Sequence, residues 1–208
     1  MQKTYNYSII DLVIMMLTKT NPQKIYNNHK MIFKNKGMDL ESMLNNSNNY
    51  YLAKDEAVIY KKPTPIGVVK VSYSNNHKII NKGYFKEQST LDYNGIYKGK
   101  YIDFEAKVTQ NKTSFPLQNI HEHQMEYMQD VERQDGIAFL IVYFKEAGAY
   151  YYVPFRDVKR FWDRAAEGGR KSFLRHELDQ DYQIRTSNQI FIHYLDALSR
   201  DLESRPES

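Results

Sequence analysis

The chain has 208 residues, of which 41% are hydrophobic and 26% are charged. This length and apolar content suffice for one α/β domain with a core, and the absence of cysteine excludes disulfides and thiolate metal sites. The formal net charge of +4 and the 18 tyrosines are compatible with nucleic-acid binding, in which basic side chains contact phosphates and aromatic rings stack on bases.

The first 37 residues are polar and rich in lysine and asparagine, and we expect them to form a flexible basic arm. One apolar run, residues 9–17, lies in this arm. The run is too short to span a bilayer and contains Asp11, and no cleavage-site pattern of small residues follows it. We therefore expect that the protein does not contact a membrane. We also expect that the protein is cytoplasmic.

A folded domain is predicted for residues 38–200, and it begins with a helix. Asp39 is the predicted cap, and Leu40 and Leu44 follow at helical spacing. Glu41 lies off this apolar stripe. It is predicted to be a solvated helix residue, and the alternative is that it faces an active site. After the helix, residues 57–60 form a predicted short, buried strand.

Two further strands are predicted at residues 66–73 and 78–85, joined by a turn, within an insertion at about 63–86. The candidate DNA contacts in this insertion are basic or aromatic: Lys70, Lys78, Lys82, Tyr84, Phe85 and Lys86. A projecting hairpin that carries such residues could insert into a nucleic acid structure. By its pattern alone, however, an ordinary edge hairpin with solubilising lysines is the favoured alternative.

A second hairpin is predicted around Lys98 and Gly99, because two runs rich in aromatic and β-branched residues flank this pair. Glycine supplies the positive φ that such two-residue turns need. If Lys98 and Gly99 form the loop, Tyr97 pairs with Lys100, and the register of every other pair follows from that one.

This register places Asp92 opposite Glu105, and Thr90 opposite Lys107. Because side chains alternate between the faces of a strand, all four side chains share one face. Directly opposed carboxylates destabilise a sheet unless a cation lies between them, so the pairing predicts a site for a hard cation such as Mg²⁺. The alternative is a polar, solvated hairpin face, since Asp, Glu and Lys at such spacing are common in a chain this charged.

The next predicted helix contains Pro116 in its first turn, capped by Ser114. Leu117 and Met128 lie on its apolar stripe, which Gln124 interrupts. A buried amide needs hydrogen-bond partners, which a metal, its bound water or the backbone could supply. The residue pattern by itself favours the backbone.

The remaining pattern predicts a central strand at residues 136–144, buried on both faces, that pairs with residues 149–153. Helices are predicted at 155–166 and near 172–178. The basic loop between these helices offers Arg170 and Lys171 as phosphate contacts.

A last helix is predicted with Ile190, Phe191 and Tyr194 on its apolar stripe, and residues 201–208 are expected to be a disordered tail. The whole layout predicts an α/β core with a mixed sheet flanked by helices.

From residue 35 to the C-terminal region, the chain resembles the RecU family, the Holliday-junction resolvases of low-GC Gram-positive bacteria. The matching stretches are residues 57–65, 89–107, 112–119, 121–124, 161–163 and 169–172. The resemblance implies a restriction-endonuclease-like mixed β-sheet flanked by helices. It also implies that the hairpin at about 63–86 is a projecting stalk that enters the open centre of a four-way DNA junction.

The same resemblance assigns roles to individual side chains. It implies that Thr90, Asp92, Glu105 and Gln124 are metal ligands and that Asp92, Glu105 and Lys107 are catalytic, with Lys107 stabilising the transition state. Lys36 stands where the family often has arginine, which makes it a further DNA contact.

The implied enzyme is a homodimeric, Mg²⁺-dependent crossover junction endodeoxyribonuclease, with Mn²⁺ as a substitute metal. It would resolve four-way junctions by paired symmetric nicks during recombination and repair, with the RecA recombinase and the RuvAB branch-migration motor as partners. The alternatives are a duplex-specific endonuclease and a non-cleaving junction-binding modulator of a recombinase.

Overall fold

The structure is a computed structural model that describes residues 39–74, 77–85, 90–188 and 191–205. Its helices are α1 (Leu40–Ala53), α2 (Glu122–Arg133), α3 (Phe155–Ala166) and α4 (Tyr194–Ser204). Its strands are β1 (Ala57–Lys61), β2 (Ile66–Ser74), β3 (His77–Phe85), β4 (Tyr93–Tyr97), β5 (Lys100–Thr109), β6 (Ser114–Pro116), β7 (Ile137–Phe144), β8 (Ala149–Pro154), β9 (Ser172–Leu174), β10 (Gln183–Ile184), β11 (Thr186–Ser187) and β12 (Phe191–Ile192).

A six-stranded sheet in the order β1-β4-β5-β7-β8-β10 forms the centre of the described chain. Strands β5 and β7 are parallel, so their connection crosses the sheet through α2. Helices α1 and α4 contribute to one hydrophobic core, and α2 and α3 contribute to another. The predicted mixed sheet flanked by helices is therefore confirmed.

Strand β7 carries the apolar run that predicted a central strand, and all but one of its residues are buried. Its neighbour β5 is different on its two faces. Ile102 and Phe104 belong to the core of α1 and α4, whereas Asp103 and Glu105 alternate with them and point toward the side of α2. One face of β5 is thus apolar, and the other carries charge inside the fold.

The turn between β4 and β5 confirms the predicted register. Tyr97 is opposite Lys100 and Tyr93 is opposite Phe104. Lys98 and Gly99 both have positive φ, 48° and 76°, which is the backbone of a type I′ hairpin turn.

Strands β2 and β3 form the predicted hairpin as a two-stranded sheet of their own. Every residue of β3 is exposed. Lys70 lies opposite Lys82, beside an irregularity in the register. The hairpin therefore presents like charges across its strands, which is unfavourable without a polyanion.

Strand β1 was predicted to be a short buried strand; the strand is confirmed, but only one of its faces is buried. It is an edge strand of the sheet, and Val58 and Tyr60 are 47% and 56% exposed. Only its alternate residues, Ala57 and Ile59, enter the core. A short apolar run does not distinguish a central strand from an edge strand, because strands of both kinds pack apolar side chains against the core on one face.

One predicted helix begins later than expected, and another prediction of a helix is wrong. Residues 114–116 are strand β6, followed by a 3-10 turn, and α2 begins only at Glu122. The helix predicted near 172–178 is strand β9 followed by another 3-10 turn. The two strands pair with each other and stack Phe115 on Phe173, with ring centroids 4.9 Å apart. That distant pairing overrides the local helical spacing.

The C-terminal boundary also differs. Phe191 belongs to β12, so it does not lie on the predicted final helix, which starts at Tyr194. The helix continues to Ser204 and buries Asp201 completely. The predicted disordered tail is therefore wrong for residues 201–205.

The predicted arm at 1–37 with Lys36, as well as Lys86 and Ile190, falls outside the described residues. Within the described part of the chain, no helix has both the length and the apolar character needed to cross a membrane.

Candidate active site

The structure brings Asp92 and Glu105 together. Asp92 directly precedes β4, and its backbone N–H donates to Oε2 of Glu105 at 3.0 Å. This contact joins the two residues that the predicted register places opposite each other, one position beyond the last pair of the β4–β5 ladder. The two carboxyl groups are close enough for the charge on Glu105 to act on Asp92.

Burial and like charge govern the electrostatics of this pair. Glu105 is 5% exposed, and Asp92 is half-buried. Burial, followed by the charge of Glu105, raises the pKa of Asp92 from 3.8 to about 6, against the lowering effect of Lys61 and Lys107. Two carboxylates that resist simultaneous ionisation form a site where a cation is favoured.

Lys107 lies two residues beyond Glu105 on the same face of β5. Its Nζ is 2.9 Å from Oε1 of Glu105, and its side chain is 16% exposed. One oxygen of Glu105 thus binds an ammonium group, while the other accepts the N–H of Asp92. The three residues predicted to be catalytic form one contiguous cluster.

Thr90 is partly exposed and precedes the strand, since β4 begins at Tyr93. The predicted pairing of Thr90 with Lys107 therefore does not belong to the β4–β5 ladder. Thr90 is near the site because it lies two residues before Asp92 in the chain.

Gln124 is buried at the N-terminus of α2, 6% exposed. Its Oε1 accepts the backbone N–H of His121 at 3.1 Å, which is the backbone partner that the residue pattern favours. The amide oxygen has a second lone pair, so this bond leaves it able to bind a cation.

The direction of α2 places Gln124 on the side of Glu105. Tyr127, one helical turn after Gln124, donates its OH to Asp103 of β5 at 2.9 Å. Because α2 connects two parallel strands, it runs antiparallel to β5. The step back along α2 from Tyr127 to Gln124 therefore matches the step along β5 from Asp103 to Glu105.

Two charged residues at the edge of the site are Glu41, for which the sequence favoured a solvated position, and Lys61, for which the sequence predicted no role. Nζ of Lys61 is 2.5 Å from Oε2 of Glu41, and the charge of Lys61 lowers the pKa of Asp92. The structure thus supports the alternative that Glu41, in the first turn of α1, faces the site. The available signals were the position of Glu41 off the apolar stripe and the Lys61-Lys62 doublet directly after the predicted strand at residues 57–60.

The donor set at the site fits a hard cation. The pair Asp92 and Glu105 supplies carboxylate oxygens, and Gln124 supplies an amide oxygen. Across the described ranges, no group of three or more His, Cys, Asp or Glu side chains could hold a metal ion. A two-carboxylate set suits Mg²⁺, which retains several waters and completes its shell with substrate oxygens.

The segment that leads into the basic and aromatic hairpin adjoins this site. The backbone N–H of Lys62, just after β1, donates to the carbonyl of Asp92 at 2.8 Å. Farther along, Tyr84 is 58% exposed and Phe85 is 77% exposed. The predicted contacts Lys70, Lys78 and Lys82 are exposed, as are Arg170 and Lys171 in the loop after α3.

Comparisons with known proteins agree on one family. The family model described as RecU, Recombination protein U, matches residues 35–200. A Holliday junction resolvase RecU from Listeria welshimeri is 56% identical over 138 residues, covering 66% of this chain and 69% of the relative. Its counterpart from Bacillus subtilis is 52% identical over 155 residues, covering 71% of each chain. The counterpart from Limosilactobacillus reuteri is 44% identical over 179 residues, covering 85% of this chain and 88% of the relative.

Among solved structures, the Holliday junction resolvase Hjc from Archaeoglobus fulgidus is similar to part of the chain. The similarity covers 51% of this chain and 70% of that protein, at 12% sequence identity and a TM-score of 0.29. At this TM-score the likeness adds nothing to the fold described above.

Proposed function

This chain belongs to the RecU family, and from that premise we propose a Mg²⁺-dependent endonuclease that resolves four-way DNA junctions by paired symmetric nicks. The resolvase function and the class of crossover junction endodeoxyribonuclease follow from the family. The metal, the residues that bind it, the symmetry of the nicks and a role in repair are the proposed parts.

One observation supports these parts most directly: Asp92, Glu105 and Lys107 form a partly buried cluster, and the segment that leads into an exposed basic hairpin donates a hydrogen bond to Asp92. The phosphodiester group of DNA is negatively charged, so a site that binds it must supply positive charge. Two carboxylates with a cation between them, beside an ammonium group, can hold and polarise such a phosphate.

In this proposal, Asp92 and Glu105 hold Mg²⁺ through carboxylate oxygens, with the amide oxygen of Gln124 and the hydroxyl of Thr90 as further ligands. When bound, Mg²⁺ supplies Lewis-acid polarisation of the scissile phosphate and lowers the pKa of a bound water. Mn²⁺ can replace it, since the ligands are oxygens.

Lys107 acts on the charge that develops at the phosphate. Its ammonium lies 2.9 Å from Glu105, so it is held within the cluster rather than free in solvent. From there it can orient the attacking water and stabilise negative charge on the phosphate oxygens. Attack of that water on phosphorus, in line with the 3′ oxygen, would break the P–O3′ bond and leave a 5′-phosphate and a 3′-hydroxyl.

The substrate contacts belong to exposed elements. The lysines and rings of the β2–β3 hairpin would enter the open centre of the junction, and Arg170 and Lys171 would contact phosphates. We propose a homodimer, because two sites related by a two-fold axis can nick opposed strands symmetrically. The RecA recombinase and the RuvAB motor are the proposed protein partners.

A gel assay with a synthetic four-way junction tests the proposal. We expect the wild type to nick opposed strands with Mg²⁺ and not with EDTA. We expect Asp92→Asn to lose cleavage by at least about 100-fold while retaining junction affinity. Asp130→Asn, the same substitution at an exposed carboxylate on α2, serves as the matched control and should cleave normally.

Two outcomes would replace the proposal. Equal or faster cleavage of linear duplex would favour a duplex-specific endonuclease. Junction binding without any cleavage by the wild type, with either metal, would favour a non-cleaving modulator of a recombinase.

A further inference from the structure

A buried polar cluster lies next to the proposed metal site but contains none of the proposed ligands. At its centre is Asp103, which has no exposed surface. Its Oδ2 accepts three donors: Nζ of Lys62 at 2.6 Å, the OH of Tyr101 at 2.6 Å and the OH of Tyr127 at 2.9 Å. The ammonium of Lys62 also lies 5.1 Å from the centre of the Tyr127 ring.

This cluster is a poor means of gaining stability. Removing an ion pair from water is costly, and apolar residues of similar volume often replace such a pair without loss of stability. Moreover, all three donors converge on one oxygen of Asp103, while Oδ1 is buried without a hydrogen-bond partner among the described residues. A polar group left in this way is unfavourable, so the arrangement calls for another explanation.

The position of Lys62 supplies one. Its side chain binds Asp103, while its backbone N–H donates to the carbonyl of Asp92 at 2.8 Å. The preceding residue, Lys61, ends β1 opposite Tyr93. Lys62 therefore connects a fully buried point on β5 to the backbone of the proposed metal ligand.

The other members of the cluster reach the remaining ligand-bearing elements. Asp103 lies two residues before Glu105 on the same face of β5. Tyr127 lies one turn after Gln124 on α2. The residue after Lys62, Pro63, begins the extended segment that leads into the exposed hairpin.

We propose that Lys62 and Asp103 are positioning residues whose buried ion pair, braced by Tyr127, fixes Asp92, Glu105 and Gln124 in a metal-binding arrangement. The same pair anchors the base of the hairpin to the site, so that DNA held by the hairpin meets the catalytic cluster in a fixed place. This inference rests on the proposed function. Outer groups that orient metal ligands typically change metal affinity or activity 10- to 100-fold when they are removed.

The test replaces both members of the pair at once, with Lys62→Met and Asp103→Leu in one protein. Replacing only one would leave an unpaired buried charge and could unfold the protein, whereas the double apolar variant should fold with a melting temperature near that of the wild type. We expect its Mn²⁺ affinity, measured by calorimetry without DNA, to fall at least about 10-fold. At saturating Mg²⁺ and junction, its kcat should fall, while its junction Kd in EDTA should change less than about two-fold.

The matched control is Asp201→Asn, which alters another completely buried aspartate, in α4, that accepts a tyrosine OH and forms ion pairs with Arg156 and Arg205. It should lower stability and leave Mn²⁺ affinity unchanged. If the double variant and this control bind Mn²⁺ as the wild type does, the positioning role is wrong. If the wild type itself neither binds Mn²⁺ nor cleaves, the proposed function is what fails.

Discussion

At the scale of single residues, Asp92, a proposed metal ligand, is unfavourable to ionise in the folded protein. Its carboxyl would ordinarily titrate near 3.8, and burial beside Glu105 raises its pKa to about 6. Between these pH values the folded protein keeps a proton that the unfolded chain has lost. The free energy of unfolding therefore falls as the pH rises through this window, and the favourable contribution is complete only below the unfolded pKa.

Asp92→Asn should remove that dependence. In EDTA at pH 8, we expect the variant to be more stable than the wild type by about 1 kcal/mol, because the half-buried carboxylate is partly screened by water. At pH 4 the two proteins should be nearly equal in stability. Urea unfolding at both pH values measures the difference, and a difference independent of pH would contradict the raised pKa.

Gln124 has a structural role that can be separated from any role in metal binding. Its Oε1 caps the first turn of α2 through the N–H of His121. Gln124→Met keeps the shape of the buried side chain and removes this acceptor. We expect the free energy of unfolding in EDTA to fall by about 1 kcal/mol.

The control for this prediction is Gln118→Met, since Gln118 is exposed in the preceding 3-10 turn. Its unfolding should change by less than about 0.5 kcal/mol. Equal effects of the two substitutions would show that the cap contributes nothing.

At the scale of elements, the β4–β5 turn sets the register that brings Asp92 to Glu105. Gly99 has φ of 76°, and a Cβ added there would meet no atom within 4 Å. Gly99→Ala should therefore lower the free energy of unfolding by about 1–2 kcal/mol through backbone strain alone. Lys98→Asn should raise it by a few tenths of a kcal/mol, because Asn-Gly is the favoured type I′ pair. Chemical unfolding that gave both changes the same sign would contradict this account.

The β2–β3 hairpin is expected to contribute little to the stability of the fold. Its strands pair only with each other within the described sheets, and β3 buries none of its residues. Because Ile66 and Phe85 are paired, a short Gly-Ser linker can replace everything between them. The melting temperature should change by less than about 3 °C, since a two-stranded hairpin contributes little stability.

The same deletion should lower junction affinity at least about 10-fold, measured by gel shift at fixed salt. Duplex affinity, which depends on general phosphate contacts, should fall less. A deletion variant that unfolded, or that bound junctions normally, would show that the hairpin has a different role.

At the scale of the whole molecule, local signals explain what the sequence predicted. The Lys98-Gly99 turn and the apolar run of β7 depend on neighbouring residues, so the hairpin register and the central strand could be inferred directly. The β6–β9 pair and the contact between Lys62 and Asp103 join segments far apart in the chain. Neither local propensity nor spacing indicates which distant partner a side chain meets.

The C-terminal helix is the clearest case of such long-range dependence. Asp201 accepts the OH of Tyr152 in β8 at 2.7 Å and forms ion pairs with Arg156 of α3 and with Arg205. Arg205 in turn binds Glu132 of α2 at 2.8 and 3.0 Å. Since α4 packs on one face of the sheet and α2 and α3 on the other, this network ties both faces together.

Truncation at two nearby points should separate this network from the end of the chain. Ending the chain after residue 200 removes Asp201 and Arg205 and leaves Arg156 and Glu132 without these partners. The completely buried OH of Tyr152 then loses Asp201 as its acceptor, whereas Arg156 is half exposed and can be hydrated, so we expect a loss of about 1–3 kcal/mol in urea unfolding. Ending it after residue 205 keeps the network and should cost less than about 0.5 kcal/mol. The network shares no residue with the cluster of Asp92, Glu105 and Lys107, so either shortened protein should keep its Mn²⁺ affinity if it remains folded. A fall in Mn²⁺ affinity in the folded shorter protein would show that the two regions are not independent.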